Sequence, residues 1–169
     1  MRVAASAGRV IIGLCLLAAT AANAQSGSKP AVPSTPSAPA TGFDITAHPA
    51  SQITRNGVRF VFQERGTGTQ PKAGSRVAVR YTGFLPDGHV FDASVKQGGP
   101  LKVRVGRGEV IKGWDEALQL LPEGTRARIW IPAQLAYASK GVRDPDDERR
   151  YLVPPHTDLV FEVEILRVK

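Results

Sequence analysis

Cysteine is nearly absent from this chain. Cys15 is the only one, and histidine occurs three times, as His48, His89 and His156. One thiol cannot build a disulfide framework, and the His spacing offers no zinc site or catalytic triad. No metal ligand set and no cofactor are expected. Long hydrophobic runs are missing too. The longest, Val10 to Ala22, falls short of the ~20 residues that a transmembrane helix needs, so no stable membrane insertion is expected. A nucleotide-binding glycine loop is also lacking: Gly106-Arg107-Gly108-Glu109 has two glycines and no phosphate-binding lysine pattern. Aromatics amount to 7% of residues and show no exposed stacking platform. The net charge of +7 therefore reads as a solvated basic face, and no nucleic-acid partner is expected.

What is present divides the 169 residues into three parts. Arg2 and Arg9 precede the uncharged run, which ends in Ala22-Asn23-Ala24, a small-x-small signature. Residues 1–24 read as a secretory signal peptide, cleaved near Ala24. This predicts a periplasmic or secreted protein whose mature form has lost Cys15. Residues 25–51 form a Pro/Ser/Ala-rich linker and domain lead-in, with Pro30, Pro33, Pro36 and Pro39 recurring every third residue. No heptad pattern precedes the domain, so a monomer is expected.

From residue 52 to 169 the pattern is that of one domain. Val58, Phe60 and Phe62 alternate with Arg59, Val61 and Gln63. Val77, Val79 and Tyr81 do the same, as do Leu101, Val103 and Val105. So do Ala127, Ile129 and Ile131, with Trp130 at an outward position, and Leu159, Phe161, Val163 and Ile165. Period two predicts strands with one buried and one wet face. Turn chemistry at Gly66-Thr67-Gly68, Pro86-Asp87-Gly88 and Pro122-Glu123-Gly124 separates them. Only Trp114 to Leu121 has helical spacing, with Trp114, Ala117, Leu118 and Leu121 on one face. One short helix against an antiparallel sheet is an α+β domain. From composition alone, its aromatics read as core.

The order of local motifs adds a family resemblance. Val79-Arg80-Tyr81-Thr82-Gly83, Asp87-Gly88 and Val90-Phe91-Asp92-Ala93-Ser94 are followed by Gly108-Glu109-Val110-Ile111-Lys112-Gly113-Trp114. Leu135-Ala136-Tyr137-Ala138 and Val153-Pro154-Pro155-His156 complete the series. In this order over about residues 52–169, they resemble the FKBP family of peptidyl-prolyl cis-trans isomerases. The resemblance implies a strongly curved antiparallel β-sheet wrapped around one short α-helix, with a shallow apolar pocket between them. It implies Asp92, Ile111 and Tyr137 as catalytic residues. Tyr81, Phe91, Leu101, Val110, Trp114, Val153 and Phe161 would contact substrate. Its implied partners are proline-containing unfolded or partly folded polypeptides, and macrolide inhibitors of the FKBP class.

An isomerase speeding the folding of exported proteins is the expectation. A peptide-binding chaperone module of the same fold, with little isomerase activity, is the alternative. Two departures bear on the choice. Leu101 stands where the family often has an aromatic. Val95-Lys96-Gln97 replaces an arginine that commonly follows the Phe-Asp pair, which predicts a looser hold on Asp92. The segment 138–153 carries four acidic and three basic residues from Arg143 to Arg150. It reads either as an extended recognition loop, with Tyr151 and Leu152 closing over the pocket edge, or as a disordered surface insertion.

Overall fold

The computed structural model describes residues 51–169. The expected signal peptide and nearly all of the linker lie outside the described residues. The first strand, β1 (Gln52–Ile53), pairs with β2 (Arg59–Glu64). The remaining strands of the main sheet are β3 (Arg76–Phe84), β4 (Val90–Ala93), β5 (Leu101–Arg104), β6 (Arg126–Ile131) and β9 (Leu159–Val168). Helix α1 (Lys112–Leu118) falls between β5 and β6, and a separate hairpin of β7 (Val142–Arg143) and β8 (Tyr151–Val153) precedes β9. The sheet order is β1-β2-β6-β9-β3, all antiparallel. The free edge of β3 is shared: β5 pairs with Arg76–Val79 and β4 with Thr82–Phe84.

The alternating residues explain this arrangement. Val77, Val79 and Tyr81 on β3 and Leu159, Phe161, Val163 and Ile165 on β9 all point into one core. A register shift between Ala78 and Val79 against β9 reverses the phase at its end, so that Val168 faces inward and Arg167 outward. Similar irregularities bend β2 against β6 and β3 against β4, which lets the sheet curl around the helix.

A helix of seven residues is not stable alone. This one persists because Trp114, Ala117 and Leu118 are buried against the sheet. It begins two residues before the expected Trp114 and ends at Leu118 rather than Leu121. Gly113 has no side chain to mark the start, yet it permits contact: a Cβ there would lie 2.3 Å from Ile131 Cγ2. At the other end, Leu121 precedes Pro122, which disfavours helical backbone. The chain leaves the helix through a turn, in which the Leu121 N–H donates to the Leu118 carbonyl at 3.4 Å, and still buries Leu121.

Trp130 departs from the alternation. Its outward position predicts exposure, but only 4% of it is accessible. It lies between Arg59 and Val160 across the strands, and with Pro86 and Pro132 it lines a hollow of about 190 Å³. A sheet face that carries a large indole beside Val160 covers itself. The segment 138–153 is not an extended loop either. It folds as the β7–β8 hairpin, with the Asp144 N–H donating to the Arg150 carbonyl at 3.1 Å. The Arg143 guanidinium sits 4.0 Å from the centre of the Tyr151 ring. Tyr151 is therefore engaged by Arg143 on the hairpin itself, while Leu152 packs against the core.

Candidate active site

Four aromatic rings converge where α1 meets the concave face of the sheet. The Trp114 indole, on α1, lies 5.0 Å from Tyr81 and 5.2 Å from Phe161, centroid to centroid. Phe161 also meets Phe91 at 5.7 Å. All these pairs are edge-to-face, the arrangement that the ring quadrupoles favour. The depth is graded. Trp114, Tyr81 and Phe161 are buried, and Phe91, Ile111 and Tyr137 are half-buried around them.

A missing side chain makes this packing possible. A Cβ on Gly83 would lie 2.8 Å from both Phe161 and Phe91 ring carbons. The two rings thus meet over bare backbone. Sequence reading quoted Gly83 only as part of a motif. Its signal was a glycine inside a strand, which often marks close approach of another group.

Asp92, on β4, is held by three donors. The Tyr81 hydroxyl donates to Oδ2 at 2.7 Å, the Ala93 N–H to Oδ1 at 2.8 Å and the Gln97 amide to Oδ1 at 3.0 Å. The expected looser hold on Asp92 is thus offset: Gln97 reaches back from the short 3₁₀ turn Ser94–Gln97. Its amide is a neutral donor, and among the described residues Asp92 forms no ion pair. Burial, followed by the Asp92 bond and charge, pushes the Tyr81 hydroxyl far above the ordinary tyrosine range. Burial first and Asp92 second push Tyr137 up to about 12. Both phenols are therefore protonated donors at neutral pH.

Three donors near the rings have no acceptor among the described residues. These are the Tyr137 hydroxyl, the Ile111 N–H at the start of α1 and the Trp114 indole Nε1. Each is held in place by its backbone. The Ile111 carbonyl accepts the Trp114 and Asp115 N–H groups. The loop before it is fastened by Asp115, whose carboxylate accepts the Gly106 and Gly108 N–H groups at 3.0 and 2.7 Å. Tyr137 precedes Ala138, whose φ is +48°, and the His156 N–H ties this bend to the following segment by donating to the Ala138 carbonyl at 2.7 Å.

The other expected contact residues lie at different distances from this centre. Val110 is buried just before Ile111, in the same core cluster. Val153 is buried on β8, opposite Val142. Leu101 opens β5 opposite Val79, half-buried against the core, and has no ring to add to the aromatic group.

Comparison with known proteins agrees with this geometry. Residues 67–166 match the family model described as FKBP-type peptidyl-prolyl cis-trans isomerase. FK506-binding protein 1 of Saccharomyces cerevisiae is 40% identical over 119 residues, which cover 70% of this chain and 98% of that protein. Outer membrane protein MIP of Legionella longbeachae is 36% identical over 121 residues, 72% of this chain and 48% of that protein. A crystal structure of a peptidyl-prolyl cis-trans isomerase from Pseudomonas syringae pv. tomato superimposes with a TM-score of 0.63 at 39% identity, covering 73% of this chain and 84% of that one. With the ring cluster, the wrapped sheet and these matches in agreement, the chain belongs to the FKBP-type peptidyl-prolyl cis-trans isomerase family.

Proposed function

We propose that this isomerase acts on exported proteins and twists X–Pro amides over the Trp114 floor. The barrier to be lowered is ~18–20 kcal/mol and comes from amide resonance. No bond is made or broken, so no nucleophile is required. The planar amide is charge-separated and well solvated, whereas the twisted amide is less polar. A water-poor surface of Trp114, Tyr81, Phe91 and Phe161 binds the twisted form better, which is the differential binding that catalysis requires. Val110, Val153 and Leu101 would extend this apolar surface around the substrate.

The Ile111 N–H and the Tyr137 hydroxyl would hold substrate carbonyls on either side of the proline and fix the rotation. Asp92 would act through its charge. A fixed negative charge near the carbonyl oxygen raises the energy of the charge-separated planar form more than that of the twisted form. It is not assigned as a base, because its oxygens already accept three hydrogen bonds. The observation that carries this reading is the juxtaposition of an aromatic floor with donors that have no acceptor among the described residues.

Tyr137→Phe tests it. Its hydroxyl has no acceptor among the described residues, so stability should change by less than ~0.5 kcal/mol. In a protease-coupled assay on a short proline peptide, kcat/KM should fall about three- to tenfold. An unchanged rate would make Tyr137 a packing residue.

Export is supported by the residue pattern at 1–24 and by the likeness to the protein named as an outer membrane protein. No helix among the described residues is long and apolar enough to cross a membrane. Protein from its native compartment should begin near Gln25 on N-terminal sequencing, and retention of Met1 would refute export by this signal. Macrolides that bind the named FK506-binding relatives would occupy the same aromatic surface.

A further inference from the structure

On the opposite face of the sheet, strand register gathers five cations that are scattered along the sequence. Arg76 on β3 lies directly opposite Arg104 on β5. On its other side Arg76 exchanges backbone hydrogen bonds of 2.7 and 2.8 Å with Lys169. Ala78, the next outward residue of β3, lies between Lys102 on β5 and Arg167 on β9. Two rows of three positions thus hold Arg104, Arg76 and Lys169, then Lys102, Ala78 and Arg167. Strands lie ~4.8 Å apart and outward residues repeat every ~6.7 Å, so the five side chains spring from a patch of roughly 10 by 7 Å.

The five cations line a groove of about 600 Å³ whose only acidic side chain, among the described residues, is that of Glu109. That carboxylate is engaged, accepting the Arg104 N–H at 2.9 Å. Among the described residues the five form no ion pair, whereas Arg80, one row further along β3, is paired with Glu164. All five are exposed, and none packs into the core. Like charges directly opposite on neighbouring strands weaken a sheet. The fold therefore carries an electrostatic cost here with no structural return, which a bound anion would relieve. These basic residues are dispersed in sequence, and strand register brings the five together on one solvated face.

We propose that this groove binds a compact, soluble anion carrying several phosphate groups. Charge density favours phosphates over a polypeptide's carboxylates. An extended acidic peptide presents one charge per ~6.7 Å on a face, too sparse to match five cations in this area. The Arg76, Arg104 and Arg167 guanidiniums offer planar forks suited to phosphate oxygens. The methyl of Ala78 leaves the floor open between Lys102 and Arg167. A groove also favours a ligand that fits between its walls over a flat anionic surface, which protruding cations would meet better.

The test is calorimetric titration of the full chain with inorganic tripolyphosphate at about 50 and 300 mM NaCl, where screening differs strongly. Binding should be saturable, and at least about tenfold weaker at the higher salt. Arg76→Glu combined with Arg167→Glu should weaken it at least about tenfold. A control with the same change of net charge, Arg55→Glu with Arg65→Glu, should alter it by less than about twofold. Turnover of a short proline peptide should be unchanged in the groove variant, which also reports that it is folded. If that variant fails to fold, Lys102→Gln with Arg104→Gln takes its place with the same expected loss. No binding, equal losses in groove and control variants, or binding to anionic phospholipid vesicles without binding to tripolyphosphate would each overturn the proposal.

Discussion

Trp114→Ala should destabilise the domain by about 3–5 kcal/mol and lower kcat/KM on a short proline peptide at least about tenfold. The indole is 2% exposed and touches Tyr81 and Phe161 at 5.0 and 5.2 Å. Its removal opens a cavity between helix and sheet that the surrounding strands cannot fill, because each is fixed by its ladder. The helix suffers as well, since its seven residues are held by only a few buried side chains. Urea unfolding should show a lower midpoint with an unchanged slope. Activity is then measured well below that midpoint, so that lost catalysis is separated from lost folding. Trp114→Phe retains a ring and should lie between wild type and the alanine variant in both quantities. Wild-type turnover in folded Trp114→Ala would remove the indole from the catalytic surface.

Gly83→Ala should cost about 1–3 kcal/mol and lower turnover several-fold, although it adds a single methyl group. The new Cβ would meet Phe91 and Phe161 ring carbons at 2.8 Å. Neither ring can withdraw freely. Phe161 is wedged against Trp114 and Tyr81, and Phe91 against Phe161. The methyl therefore spreads the rings where the prolyl group is proposed to rest. A substrate with a smaller residue before proline should be affected less if Phe91 moves outward. An unchanged melting temperature together with unchanged kcat/KM would show that the rings relax without cost, contrary to this account.

Much of the candidate site was legible because its motifs are local. Val79 to Gly83, Phe91-Asp92, Val110 to Trp114 and Tyr137 each mark a short piece of chain whose backbone sets its own geometry. Period-two alternation assigned the inward residues of β3, β6 and β9 because the pleat repeats every two residues. It failed at Trp130, where the outer face carries its own apolar cover, and it could not foresee the bulge that turns Val168 inward. The helix start slipped because Gly113 gives no periodic signal, and its end because Pro122 disfavours helical backbone just before it. Gln97 as a partner of Asp92 was not legible, because a glutamine five residues on can reach back only if the 3₁₀ turn bends the chain toward β4.

By itself, then, the sequence determined the family resemblance, the one-helix α+β class and the inward faces of the strands, all of which follow from residues near each other in the chain. Tertiary structure decided what depends on register between distant segments. It brought Phe91 and Phe161 together over Gly83, and it set Arg76 beside Arg104 and Lys169. Spacing along one strand says which face a side chain occupies. Which side chain stands opposite it depends on turns, bulges and strand order, and those are properties of the folded whole.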